Sequence, residues 1–340
     1  MPIDYHHAPV VAIWEVTQAC DLVCRHCRAD AQPCVHPGEL STGEGMQLLE
    51  EAAAMGIRLF VFSGGDPLKR PDLIPLVKKA ARLRLHPSVT PSATPLLTAE
   101  AIDKLAAAGA EAMALSLDGD DAELHDRFRG WPGSFAQTVE AAALVRRAGM
   151  RLQVNTTVCR ENLSRLEAIA ARTAELGAGR WSVFFLVPVG RGSEKDMLSA
   201  AEHEDVYERL LALEDRVPFA IKATEAPAYR RFLHQNGQRP PAPVNDGKGF
   251  CFISHTGEVY PSGFLPLSGG NVREIPLADI YRESPVFQDL REPDRLGGKC
   301  GYCPFRALCG GSRARAYALT GDYLGEEPTC VYVPPAVSTG

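Results

Sequence analysis

The chain reads as an α/β protein, a partial (β/α)6 barrel of the TIM type followed by a small cysteine-rich domain. Three observations predict this. Short apolar or β-branched runs alternate with longer stretches of helical period over the first two hundred residues. Six such units fit into about 190 residues, fewer than the eight of a closed barrel. Beyond them a Pro/Gly-rich stretch from Arg239 to Gly249 breaks the rhythm, and four cysteines follow between Cys300 and Cys330. An open doubly wound sheet satisfies the same periodicity and stands as the alternative.

Taken in order, strands are expected at 10–15, 59–63, 86–92, 112–117, 151–158 and 181–187. Helices are expected between them at 42–55, 71–84, 98–108, 135–148 and 163–176, with a further one at 200–214. Ser41 or Thr42 ahead of Glu44, and Thr98 ahead of Glu100, are helix starts. Gly56, Gly109, Gly149 and Gly177 stand just past helix ends. The stretch 251–260 reads as a hairpin with Thr256 and Gly257 at its turn. The domains are then 8–200 for the barrel, 201–245 for a helical bridge and linker, and 246–335 for the cysteine-rich unit.

Composition narrows the function. With 340 residues, 45% hydrophobic and 23% charged, the chain can bury a core without disulfides. A net charge of −6 leaves no basic surplus to displace phosphate counterions, and 7% aromatics make no stacking platform, so nucleic acid is excluded as the main partner. No apolar run is long enough to span a bilayer, and no basic segment precedes a cleavable apolar one, so the expected setting is the cytoplasm without membrane attachment. In that reducing compartment ten cysteines serve metal or catalysis.

Cys20, Cys24 and Cys27 follow directly on the first strand in the spacing C-x3-C-x2-C. Three thiolates on one loop can hold a four-iron cluster with one iron left open to an outside ligand. The alternative is a zinc site completed by His26, Cys34 or His36. At the end of the second strand stand Ser63, Gly64, Gly65 and Asp66, where glycines permit close backbone approach and a carboxylate can accept from an ammonium. An ordinary βα turn fits the same residues. Ser92 follows the third strand. Ser116 and Asp118 end the fourth, with Arg129 beyond; Asn155 lies on the fifth, and Leu186 and Val187 close the sixth.

This ordered set resembles the radical S-adenosylmethionine (SAM) superfamily. The resemblance implies a [4Fe–4S] cluster on Cys20, Cys24 and Cys27 whose open iron binds the amino and carboxylate groups of SAM. It further implies reductive cleavage of SAM to a 5′-deoxyadenosyl radical that abstracts hydrogen from substrate, with electrons from a donor such as flavodoxin or ferredoxin. Ser63, Gly64, Gly65, Asp66, Ser92, Ser116, Asp118, Arg129, Asn155, Leu186 and Val187 become SAM contacts.

The second cysteine group, Cys300, Cys303, Cys309 and Cys330, is in isolation equally a zinc ribbon. Beside a radical SAM core it resembles the SPASM/twitch domains that carry auxiliary iron–sulfur clusters. Two cysteines of the full SPASM pattern are absent, at Ser262 and at Ser312 or Arg313. Serine is a poor iron ligand beside thiolate, so one auxiliary [4Fe–4S] cluster is expected instead of two. Cys251 is then a remnant, Cys159 a core thiol and Cys34 a loop residue.

The wording of 24–31, 63–68, 91–97, 225–231 and 309–317 is similar to the branch that modifies haem precursors, and the similarity spans about 8 to 334. It implies a small tetrapyrrole-like substrate, altered by oxidative decarboxylation or a related step. Within that branch Arg230 or Arg231 would meet substrate carboxylates or form a solvated helix end, and His6 and His7 would ligate haem iron or do nothing. Peptide or sugar/nucleoside precursors are the alternative substrates; the short segment before the first strand counts against a peptide. A non-catalytic iron–sulfur electron carrier is the alternative of another class.

Overall fold

The computed structural model describes residues 4–335. Seven strands run parallel in chain order: β1 (Val11–Glu15), β2 (Leu59–Ser63), β3 (Pro87–Val89), β4 (Ala112–Ser116), β5 (Arg151–Val158), β6 (Arg180–Phe185) and β7 (Ala220–Thr224). Helices α1 (Thr42–Ala54), α2 (Leu73–Arg82), α3 (Ala99–Ala107), α4 (Ala122–Arg129), α5 (Ser134–Arg147), α6 (Leu166–Glu175), α7 (Ala200–Glu214) and α8 (Ala228–Gln235) connect or follow them. The sheet curls into a half-barrel with helices on its outer face.

Period-two burial explains the two faces. In β5, Leu152, Val154, Thr156 and Val158 are buried toward the helices, and Gln153, Asn155 and Thr157 face the inside. Helices α1 and α7 start where the sequence predicts: Ser41 and Glu44 form a capping box on α1, Ser199 and Glu202 one on α7.

Three features differ from expectation. A seventh strand, β7, extends the barrel inside the expected bridge 201–245. It is short with Lys222 at its centre, and its pairing with β6 supplies what local propensity lacks. The third strand stops at Val89, because Pro91 has no N–H for a ladder, and the chain after it turns toward Asp66. The segment 122–129 is a helix.

The expected hairpin is present as β8 (Phe250–Ile253) and β9 (Val259–Tyr260), antiparallel, with Gly257 at positive φ in the turn. It is not a separate sheet: β8 pairs in parallel with β1, giving the order β7-β6-β5-β4-β3-β2-β1-β8-β9. The C-terminal part adds α9 (Leu277–Glu283), α10 (Pro285–Arg291), α11 (Gly298–Gly301) and α12 (Arg313–Thr320). Arg315 on α12 reaches back to the carbonyl of Glu225 at 2.7 Å, so this part is anchored at both edges of the half-barrel. No helix among the described residues is long and apolar enough to cross a membrane.

Candidate active site

Because β1 to β7 are parallel, their C-terminal ends share one rim, and the residues singled out in the sequence gather there. The loop after β1 packs Cys20, Leu22, Cys24 and Ala31 together, with Cys27 and Trp131 against them. Cys20 and Cys24 are buried and Cys27 half-buried, and none of the ten cysteines is in a disulfide. The backbone N–H groups of Leu22 and Ala31 donate to the sulfurs of Cys20 and Cys27, each at 3.4 Å. Burial pushes the Cys24 thiol up to about 11, against the neighbouring Arg129 guanidinium.

Gly64 and Gly65 act on this loop directly. A Cβ on Gly64 would stand 2.4 Å from the carbonyl oxygen of Thr17, and one on Gly65 2.4 Å from that of Ala19. Their absence lets Gly65 N–H donate to Thr17 at 2.8 Å and Asp66 N–H to Ala19 at 2.7 Å. The glycines thus seat the turn after β2 against the chain entering Cys20. Ser63, the last residue of β2, accepts from Val16 N–H at 2.9 Å through its carbonyl.

Asp66 has partners within the chain. It is fully buried, and its carboxylate accepts from Thr94 Oγ1 at 2.8 Å, Leu68 N–H at 3.2 Å and Ser92 N–H at 3.4 Å. It is a strut that ties the second rim turn to the third. Ser92 in turn lies 3.4 Å from the sulfur of Cys20 and donates to the carbonyl of Gly65 at 3.1 Å.

On the other side, Ser116 and Asn155 are register partners. Asp118 is buried and accepts from Thr157 N–H at 2.8 Å and Arg129 Nη1 at 3.3 Å. Burial alone would lower Arg129, but Cys24, Asp118, Cys20 and Cys27 around it raise it. His125 accepts from Asp118 N–H on Nδ1 at 3.1 Å, so its Nε2 holds the proton toward Ser134 Oγ at 3.2 Å. Burial drives it down to about 3, which keeps it neutral. Leu186 and Val187 are buried just beyond β6.

Two sets of residues outside the cysteines hold the cysteine loop in place. Arg191 donates from Nε to the carbonyl of Cys24 at 2.9 Å and from Nη1 to that of Ala31 at 3.0 Å, while its own N–H donates to Cys27 at 2.9 Å. Gly190 makes this approach possible, since a Cβ there would lie 2.3 Å from the Cys27 carbonyl oxygen. Glu15, at the end of β1, joins Arg28 of the loop (2.6 Å) to His255 of the hairpin turn (2.8 Å). Burial alone would raise this carboxyl; Arg28 and His255 hold it below the ordinary range. A buried acid at a strand's C-terminal end was the available signal for Glu15.

In the C-terminal part, Cys300, Cys303, Cys309 and Cys330 line one cavity together with Arg231, Lys299, Arg306 and Tyr332. Arg230 and Arg231 are neither solvated nor offered to substrate. Arg230 donates to the carbonyls of Leu308 (2.7 Å), Cys309 (3.1 Å) and Val244 (3.2 Å); Arg231 pairs with Glu204 and stacks on Tyr332. His7 is exposed and pairs with Arg282 through its carbonyl at 2.9 Å. Cys251 and Cys159 are buried core thiols, and Cys34 is exposed.

Where the two cysteines are absent, the chain has a buried polar network. Ser312 donates to Glu225 at 2.8 Å, and its N–H donates to Glu327 at 2.6 Å. Arg315 pairs with Glu327 at 3.3 Å. Asp246 hydrogen-bonds Ser262 and accepts from Ala314 N–H at 3.1 Å.

Among the described residues no three His, Cys, Asp or Glu side chains form a group able to hold a single metal ion. Thiols gathered around a common space in threes and fours suit a polynuclear centre, which takes each thiolate on a different iron. The three thiols of the first rim loop fit a [4Fe–4S] cluster.

A parallel half-barrel with three such thiols on its first rim loop defines an iron–sulfur protein of the α/β class. Residues 14–173 match the model of the radical SAM superfamily. The chain is 40% identical to the AdoMet-dependent heme synthase of Methanosarcina barkeri, over 96% of this chain and 98% of that one. It is 39% identical to that of Oleidesulfovibrio alaskensis, over 94% and 87%. Its fold is similar to Streptococcus suis SuiB bound to S-adenosylmethionine, with a TM-score of 0.76 over 96% of this chain and 78% of that chain, at 17% identity. The chain belongs to the radical SAM superfamily and is a radical SAM enzyme, a family whose cofactors are a [4Fe–4S] cluster and SAM.

Proposed function

We propose that this enzyme acts on a haem precursor, a tetrapyrrole bearing propionate side chains, by oxidative decarboxylation or a related step: one hydrogen atom passes to the 5′-deoxyadenosyl radical, carbon dioxide leaves, and the remaining electron passes to a one-electron acceptor outside the substrate. The observation that carries the reading is similarity along nearly the whole chain to two AdoMet-dependent heme synthases. Cys20, Cys24 and Cys27 would hold the [4Fe–4S] cluster, and Ser63, Gly64, Gly65, Asp66, Ser92, Ser116, Asp118, Arg129, Asn155, Leu186 and Val187 form the SAM pocket. Of these, Asp118 orients the Arg129 guanidinium, and Gly64 and Gly65 shape the rim. Cluster and SAM together supply the 5′-deoxyadenosyl radical as hydrogen abstractor. The chain's own work is to hold the cysteine loop through Arg191 and Arg28, to keep positive charge among the thiolates through Arg129, and to enclose the substrate between the half-barrel and residues 246–335.

One auxiliary [4Fe–4S] cluster on Cys300, Cys303, Cys309 and Cys330 belongs to the same proposal, supported by their shared cavity and by the carboxylates that stand beside Ser262 and Ser312. An external donor of flavodoxin or ferredoxin type and a cytoplasmic setting complete it. The test is anaerobic reconstitution followed by incubation with SAM, dithionite and a propionate-bearing porphyrin. About eight irons per chain are expected from two four-iron clusters, with 5′-deoxyadenosine formed and the porphyrin decarboxylated. Iron near twelve overturns the single auxiliary cluster; 5′-deoxyadenosine with unchanged porphyrin overturns the substrate.

A further inference from the structure

The inner wall of the half-barrel carries cations without partners. On β7, Ile221 and Ala223 pack against the core under the helices, so Lys222 and Thr224 lie on the opposite, inner side. The same alternation on β6 buries Trp181, Val183 and Phe185 outward and leaves Arg180, Ser182 and Phe184 inside. Phe184 meets Phe264 of the C-terminal part with ring centres 6.3 Å apart, which confirms that side as the interior.

Ladder register aligns Ser116, Asn155, Ser182 and Lys222 in one row across β4 to β7. Adjacent strands are about 4.8 Å apart, so Lys222 stands roughly 10 Å from Asn155 along this row. One end of the row is the SAM pocket proposed above; the other end is unassigned.

Unmet hydrogen bonding marks that other end. Among the described residues neither Lys222 nor Arg180 has a carboxylate within ion-pair distance. Ser182 Oγ, on a residue 1% exposed, and Thr224 Oγ1 are buried with no partner. Lys222 is exposed to solvent. Its ammonium is nevertheless held below the usual range, first by desolvation and then by Arg180, with Glu225 opposing. It lies on the face of the sheet where Phe184 of the neighbouring strand packs against Phe264. An unpaired ammonium, an unpaired guanidinium and two free hydroxyls together are complementary to a carboxylate.

We propose that Lys222, flanked by Arg180, Ser182 and Thr224, binds a carboxylate of the substrate and thereby sets which carbon faces the SAM end of the row. This rests on the haem-precursor reading. Two anchors roughly 10 Å apart hold the intervening carbon skeleton across the barrel mouth, so that a propionate other than the reacting one selects the reacting position. The competing explanation is that an inward charge on the edge strand β7 merely guards against strand pairing.

The test uses anaerobic, cluster-loaded protein and two probes, a porphyrin with four propionates and its tetramethyl ester, titrated by tryptophan quenching. Wild type is expected to bind the acid at least about tenfold tighter than the ester. Lys222→Met is expected to weaken acid binding roughly ten- to hundredfold, the range of a charged hydrogen bond, and to leave the ester, SAM affinity and iron content unchanged. Lys222→Arg keeps the charge and stays within about threefold. Equal binding of acid and ester by wild type overturns the proposal without any variant, as does Lys222→Met binding the acid like wild type. Either result leaves the haem-precursor reading intact; wild type that binds neither probe overturns that reading, and this inference with it.

Discussion

Arg191 holds the cysteine loop from outside, and its removal has a calculable cost. Arg191→Met abolishes the Nε bond to the Cys24 carbonyl at 2.9 Å, the Nη1 bond to Ala31 at 3.0 Å and the contact with Asp30 at 3.2 Å. The Asp30 side chain is 59% exposed, so that pair contributes about 0–1 kcal/mol. The two carbonyl bonds from a charged donor contribute about 1.5 kcal/mol each at the low end of their range. The sum, about 3 kcal/mol, acts on local opening of the loop and not on the whole fold. It corresponds to roughly a hundredfold larger open population. Iron release to a chelator, followed anaerobically, is then biphasic in the variant, with one cluster's worth of iron lost about a hundredfold faster and the rest at the wild-type rate. Arg191→Lys recovers only part of the protection, because one ammonium cannot reach both carbonyls as the guanidinium fork does. Release at the wild-type rate from Arg191→Met would refute the strap.

Gly65→Ala places a Cβ 2.4 Å from the Ala19 carbonyl oxygen, so it displaces the chain entering Cys20; about half the iron and some 1–3 kcal/mol of stability are expected to be lost. Iron analysis with a melting curve checks it, and wild-type values for both contradict the seating of that turn. Cys251→Ser buries a hydroxyl in a fully enclosed site, costing roughly 1–3 kcal/mol in a melting experiment while iron content stays unchanged; lost iron would make Cys251 a ligand. Burial first, then the Asp246 carboxylate, push Glu225 up to about 8. The unfolded group ionises near the ordinary value of about 4.3, so the folded state keeps a proton the unfolded state has released, and stability falls as pH rises between these values. Glu225→Gln removes this component, so its melting temperature gains on wild type from pH 5 to pH 8; a constant difference over that range contradicts the buried, protonated carboxyl.

Much of the fold was legible because short apolar runs alternate with helical stretches, several of which end in a glycine just before the next strand. β2 and β5 match their expected bounds, 59–63 and 151–158, and the hairpin turn at Gly257 lies where its residues demand it. β7 was not legible: five residues with a lysine at the centre make no pattern until β6 supplies the partner edge. The joining of β8 to β1 was equally hidden, since a parallel pairing across more than two hundred residues leaves no local trace.

The candidate site divides in the same way. Cys20, Cys24 and Cys27 could be read directly, because thiols at that spacing have few uses and the chemistry lies in the side chains themselves. Arg230 was misplaced because a guanidinium looks the same in sequence whether it meets a ligand or a carbonyl of its own chain. Only the folded chain shows Asp66 accepting from Thr94 and Ser92, and Arg230 donating to Leu308 and Cys309.

The sequence by itself determined the enzyme class and the parallel βα rhythm, since each depends on residue identity at short spacing. Tertiary structure alone decided what holds the first cysteine loop, with Arg191 reaching it from beyond β6 and Glu15 linking Arg28 to His255. It also decided that Ser262 and Ser312 belong to a carboxylate network, and that Lys222 ends the row that starts at Ser116. The physical reason is that long-range hydrogen bonds and ladder register depend on where the backbone brings distant segments together. No local pattern encodes that.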